Sequence, residues 1–257
     1  MKKREFTNKK DLLIELVKTN FKLRYNNSLL GFIWVLLKPL MTFLVLFIVF
    51  SKFKGGWVEN YQMYLLLGII IYTFVNEGII YGMNGILQTA HIILKVNFPR
   101  EIALSSSLIM SIINFVINIF ILIIFSIFNP VDSTLLSLLY FLFIIIIIFL
   151  FTYGISFFTS IILVKLRDLE HITELVMQLL FYATPIFYPL DSMPESIQKV
   201  ISLNPLTILI QAARETFIYG NIVNIRSILI LFVIAIIIFF AGRIYFKQNI
   251  KKIAEKF

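Results

Sequence analysis

Long apolar runs alternate with short polar stretches along the whole chain, falling at about residues 28–51, 61–90, 102–128, 134–164, 172–188 and 227–245. A hydrocarbon core about 30 Å thick needs about 20 apolar residues in helix, so each run predicts a membrane-crossing helix. The pattern predicts an all-α integral membrane protein, a single domain over residues 1–257 with six transmembrane helices. Ahead of the first run, Asp11, Glu15, Lys18 and Lys22 share one helical face, and Leu12, Leu13, Leu16, Val17 and Phe21 gather opposite. Residues 9–27 therefore predict an amphipathic helix on the inner leaflet, either a plain anchor or a docking element for a cytoplasmic partner.

The stretch between the last two runs, residues 189–224, predicts a helical hairpin. Ser192 and Glu195 fit a capping box around Pro194, Asn204 and Pro205 separate two arms, and Gly220 closes the second. Leu206, Leu209, Ile210, Ala213 and Phe217 form a stripe on that arm, interrupted by Gln211, Arg214 and Glu215. It is too short to span, so it should dip into the outer leaflet or cap the bundle as a re-entrant element. A seventh span is the structural rival.

Composition agrees with lipid as the main solvent: 60% of residues are hydrophobic and 14% charged. The net charge of +9 sits beside apolar segments rather than on a soluble face, which argues for topology and against nucleic acid. Eight Lys and Arg precede the first run, Lys95 and Arg100 follow the second, Lys165 and Arg167 follow the fourth, and five lie from Arg243 onward. The alternate loops carry Lys52, Lys54, Lys199, Arg214 and Arg226. Both termini are thus expected in the cytoplasm, with the protein in the cytoplasmic (inner) membrane. No small-residue cleavage site follows the Lys-rich start, so a cleaved signal peptide is not expected. Zero cysteines exclude disulfides, thiolate metal sites and a Cys nucleophile.

Candidate chemistry is sparse. No Gly-rich phosphate loop of the form G-x-x-x-x-G-K-[ST] is present, so ATP has to be handled by another chain. His91 and His171, widely separated, show no metal-ligand spacing, and no G-x-S-x-G elbow occurs; neither a metal site nor an enzyme is expected. Polar residues inside the spans say more. Glu77, Tyr81, Asn84 and Gln88 share a face of the second span, and Ser107, Ser111, Asn114 and Asn118 repeat that spacing on the third. Such faces avoid lipid, pointing either to interhelical hydrogen bonds or to the lining of a wet conduit. Lys38 and Glu77 lie at matching depths, which predicts that they pair or share an aqueous cavity; the alternative is a snorkelling Lys38 beside a protonated Glu77.

Five stretches, in order, resemble the permease subunits of ABC-type polysaccharide exporters, which move O-antigens, capsular chains and teichoic acids. They are Leu23-Arg24-Tyr25-Asn26-Asn27-Ser28-Leu29-Leu30-Gly31-Phe32-Ile33-Trp34 with Leu36-Leu37-Lys38-Pro39-Leu40; Asn97-Phe98-Pro99-Arg100-Glu101; Arg167-Asp168-Leu169-Glu170-His171-Ile172; Thr184-Pro185-Ile186-Phe187-Tyr188-Pro189; and Leu203-Asn204-Pro205-Leu206. The resemblance implies a homodimer with two cytoplasmic ATPase subunits that carry ATP and Mg, and a lipid-linked glycan threading between protomers. It implies that Leu94, Lys95, Asn97, Phe98, Pro99, Arg100 and Glu101 couple to the ATPase. It makes Pro185, Pro189, Asn204, Pro205, Arg214 and Glu215 parts of an external gate, and it adds Trp34, Phe74 and Tyr81 as channel-lining rings. The rival readings are a small-molecule ABC exporter, disfavoured because no long external domain is present, and a secondary transporter, disfavoured because no internal repeat is evident. A lipid-modifying enzyme is the third rival and would need a cluster of His, Asp or Glu.

Overall fold

The computed structural model describes residues 9–25, 30–54, 58–89 and 99–254. In order these form α1 (Lys9–Tyr25), α2 (Trp34–Lys54), α3 (Tyr61–Gln88), α4 (Glu101–Phe128), α5 (Leu135–Lys165), α6 (Leu169–Ala183), α7 (Glu195–Ile201), α8 (Pro205–Ile218) and α9 (Ile225–Ala254). No strand occurs among the described residues.

Among the described residues, five segments are long and apolar enough to cross a bilayer: Gly31–Ser51, Tyr61–Gln88, Glu101–Phe128, Leu135–Lys165 and Ile225–Ile250. The run expected as the fifth span, residues 172–188, departs from the prediction. Its helix α6 has 15 residues, about 22 Å long, and ends at Ala183. Pro185 is the cause: it lacks an N–H, and it biases Thr184 into the extended conformation found there (φ −94°, ψ 138°).

α3 is the centre of the bundle, buried along most of its length and packed against α2, α4, α5, α6 and α8. Its glycines 78, 82 and 85 let small polar residues of the neighbours approach the backbone. Side chains added there would collide with Thr152 and Ser156 of α5 and Ser107 of α4. α9 lies along α5, and α1 lies on α4 with Leu12 and Leu16 buried beneath it. α5 begins with a capping box: Thr134 Oγ1 accepts from the Ser137 N–H at 3.2 Å, and Ser137 Oγ accepts from the Thr134 N–H at 2.9 Å. Large apolar side chains face outward on α2 (Leu44, Val45, Ile48), α4 (Phe120, Ile124, Phe128) and α9 (Ile230, Val233, Ile237), a belt that only lipid or another protein surface can cover.

The hairpin also differs from the prediction in detail. α7 starts at Glu195 with Pro194 as its N-cap, so Ser192 does not open the helix. Ser192 ends a short 3₁₀ turn instead, and its hydroxyl donates to the Pro189 carbonyl at 2.7 Å. Pro194, with φ −57° and no N–H, suits the position where the donor would be unsatisfied anyway. Asn204 and Pro205 do separate the two arms, and Asn204 also caps α8, its Oδ1 accepting from the Leu206 N–H at 3.0 Å with Pro205 in the first turn. Gly220 follows the helix at φ +69°, in contact with the Asp132 carbonyl, a place and conformation that exclude a side chain.

Candidate functional site

The polar residues of the spans converge where α1, α2, α3 and α4 meet. Asn114 is 1% exposed; its amide donates to Glu77 Oε2 at 2.7 Å, and its Oδ1 accepts from the Tyr25 hydroxyl at 3.1 Å. Burial, the largest influence, pushes the Tyr25 phenol above its ordinary range and keeps it a donor. The α1 helix is thereby tied to α4, and Asn20 adds a second tie, donating to Ser106 Oγ at 3.1 Å. Phe21 and Tyr25 of α1 pack their rings with Phe32, just ahead of α2, with centroids 4.9 to 5.6 Å apart.

Two cavities flank this junction. One of about 360 Å³ is lined by Trp34, Lys38, Glu77 and Tyr81, together with Arg24 and Tyr25. The other, about 350 Å³, is lined by Tyr81, Gln88 and Ser107, together with Asn20, Arg24 and Met110. Lys38 and Glu77 thus share a cavity without a direct ion pair. Between the cavities the Arg24 guanidinium rests on the Tyr81 ring, 3.4 Å from its centroid.

The remaining predicted residues go elsewhere. Phe74 is 3% exposed and packs on Phe115 at 4.6 Å between centroids, a core ring and not a surface one. Ser111 is buried with its hydroxyl donating to the Leu108 carbonyl at 2.8 Å, beside Gly78. Asn118 is 2% exposed, and its Oδ1 has no donor among the described residues. Asn84 donates to Glu170 Oε1 at 3.0 Å, fastening α3 to the start of α6. Most of the third-span face is therefore buried between helices. Arg24, Asn20 and Tyr25 were not singled out from the sequence as site residues. The clue was their place at the end of α1, where Asn20 and Arg24 are one turn apart just before the first apolar run.

Of the stretch expected to face an ATPase, Leu94, Lys95, Asn97 and Phe98 lie outside the described residues. Pro99 is exposed and its carbonyl accepts from the Ile102 N–H at 2.9 Å. Arg100 Nη1 donates to the Ile250 carbonyl at 2.8 Å, and Glu101 pairs with Arg243 at 3.2 Å and Lys247 at 3.5 Å. Both charges hold the end of α9 to the start of α4.

At the other end of the bundle, the non-helical stretch after α6 exposes carbonyls that must find donors. Arg214, 1% exposed, supplies two, to Pro185 and Ile186 at 2.7 Å each, and a third to Tyr64 at 3.0 Å. Tyr61 donates to the Phe187 carbonyl at 2.8 Å and Tyr64 to that of Tyr188 at 3.1 Å. The Asn204 amide reaches Thr184 Oγ1 at 3.0 Å. Arg214, expected to interrupt the α8 stripe, is thus buried with it. Glu215 instead lines a cavity of about 710 Å³ with Glu59, Asp191, Pro189 and Tyr219. There burial, followed by the Glu215 carboxylate, pushes the Tyr219 phenol up to about 12.

No group of three or more His, Cys, Asp or Glu capable of holding a metal occurs among the described residues. A family profile described as ABC-2 type transporter matches residues 11–218. The chain is 29% identical over 245 residues to the O-antigen export system permease protein RfbA of Klebsiella pneumoniae, covering 95% of this chain and 94% of that protein. A protein of the same name from Myxococcus xanthus is 25% identical over 254 residues, covering 98% and 97%. With the apolar helices, these matches identify a multi-pass membrane protein, and the chain belongs to the ABC-2 type transporter family.

Proposed function

We propose that this chain is the transmembrane subunit of an ATP-driven exporter that moves a lipid-linked polysaccharide, of O-antigen type, across the cytoplasmic membrane. The observation that carries the reading is near end-to-end similarity to O-antigen export permeases, in a chain without a phosphate-binding loop of its own. ATP and Mg belong to two copies of a separate cytoplasmic subunit, and two copies of this chain form the conduit between them. Each protomer crosses six times, α6 and the extended residues after it making the fifth crossing, with both termini in the cytoplasm as the Lys and Arg distribution requires.

In this reading α1 lies at the inner surface, and residues 94–101 receive the ATPase stroke. Arg100 and Glu101 pass it to α9 through the contacts described above. Trp34, Lys38, Glu77, Tyr81 and Gln88 border the inner end of the conduit, while the α7–α8 pair, fastened through Arg214, forms its outer gate. Closure of the ATPase pair rotates the protomers and opens the path.

The test is complementation in a strain that lacks its own permease. Surface glycan should return when this chain is expressed with its ATPase, and should be absent when the ATPase is inactivated. Export that persists with a dead ATPase would indicate a secondary transporter. Drug or small-molecule efflux without surface glycan would indicate the small-molecule exporter.

A further inference from the structure

Arg24 has a bonding capacity that its surroundings leave unused. It stands at the end of α1 in the wall shared by the two inner cavities, with the guanidinium on the Tyr81 ring. Nη1 is enclosed and has no acceptor among the described residues. An enclosed N–H of a charged group without a partner is unfavourable, and the planar fork of arginine matches the oxygens of a phosphate in two parallel bonds. The carboxylate of the cleft, Glu77, is taken by the Asn114 amide, and Lys38 brings a second cation to the same wall. Two cations face one carboxylate there, leaving the cleft one negative charge short.

We propose that this cleft is a phosphate subsite that receives the phosphate of a lipid headgroup. Arg24 presents the fork, Tyr81 carries its flat face, Lys38 contributes a point charge, and Asn20 and Gln88 offer neutral amide donors on the adjoining wall. The position suits the ligand. In the topology proposed above, Arg24 lies just before the first crossing, at the level of the inner headgroups, where basic pockets between membrane helices collect phosphate groups. The phosphate can come from bulk anionic phospholipid or from the carrier lipid of a glycan; only the second source rests on the export reading.

The test titrates the full-length protein in detergent, read by native mass spectrometry, with phosphatidylglycerol, with a polyprenyl phosphate, and with diacylglycerol as the phosphate-free control. Arg24→Gln should weaken retention of the phosphate lipids about tenfold, Arg24→Lys should fall between, and diacylglycerol should be unaffected. Tighter retention of phosphatidylglycerol assigns the site to bulk lipid, and tighter retention of polyprenyl phosphate assigns it to the carrier; both support the subsite. Equal retention by wild type and an Arg24→Gln protein of unchanged unfolding temperature overturns it, as does a parallel loss of diacylglycerol. If Arg24→Gln fails to fold, the exposed Lys38→Gln carries the test, with a phosphate-specific loss of about fivefold expected and no loss overturning the proposal. No transport is measured, so failure here leaves the export reading standing, and failure of export leaves the phosphatidylglycerol result standing.

Discussion

The Arg214 guanidinium lies 3.4 Å from the centre of the Tyr64 ring and donates to the carbonyl of the same residue at 3.0 Å. One side chain of α8 thus grips α3 by both ring and backbone, while its other nitrogens hold the break after α6. Three elements distant in sequence become one rigid corner, made by a fully buried cation whose partners are carbonyl oxygens.

Arg214→Met leaves the carbonyls of Tyr64, Pro185 and Ile186 without that donor, each worth about 1–3 kcal/mol if nothing replaces it. The expected result is a large fall in unfolding temperature in detergent. Gly68→Ala should act in the same direction, because its added methyl would collide with the guanidinium. Unchanged melting in both variants would mean the corner is not held this way.

Gly82→Val forces a branched side chain against Ser156 and Leu108, at the place where α3 meets α5 and α4. Overpacking of this kind costs about 1–3 kcal/mol, so the variant should melt earlier and yield less folded protein. Gly82→Ala should be milder, and a wild-type profile for the valine variant would contradict the packing described here.

Asn114→Ala removes the donor to Glu77 and the acceptor from Tyr25 together. A loss of about 1–3 kcal/mol is expected, larger than for Tyr25→Phe, which removes only one of the two bonds. A double-mutant cycle between Asn114→Ala and Tyr25→Phe should be non-additive, and strict additivity would show that the two side chains do not communicate.

Glu101→Arg places a cation against Arg243 and Lys247, where partly exposed pairs are worth about 0.2–1 kcal/mol each. Stability should change little, but in the proposed mechanism ATP hydrolysis should become uncoupled from export. Adding Arg243→Glu should restore coupling. Wild-type export in the single variant would remove the α4–α9 contact from the coupling path.

How much was legible beforehand follows the range of the forces involved. The runs later found as α2, α3, α4, α5 and α9 were readable because a bilayer imposes a length and an apolarity that each helix satisfies alone. The break between two helices at Asn204-Pro205 and the Gly220 terminus were readable for the same reason, being chemistry completed within a few residues. The polar spacing from Glu77 to Gln88 and from Ser107 to Asn118 announced two faces that avoid lipid. It did not reveal that Ser111 and Asn118 would be buried between helices while Tyr81 and Gln88 border cavities, since periodicity states which residues share a face and not what lies opposite.

Tertiary structure decided the rest. A sequence in which Arg214 interrupts an apolar stripe reads as a helix with a wet side; the fold buries it because the broken backbone at Pro185 and Ile186 needs donors that only a distant side chain can bring. Phe74 read as a ring for a conduit and became core, and Arg24 read as part of a motif and became the divider of two cavities. The sequence by itself determined that this is a multi-pass membrane chain and where its five longest apolar helices run, because those depend on residues near one another. Which polar groups meet, and which are left with unused bonds, depended on helices far apart in sequence arriving side by side.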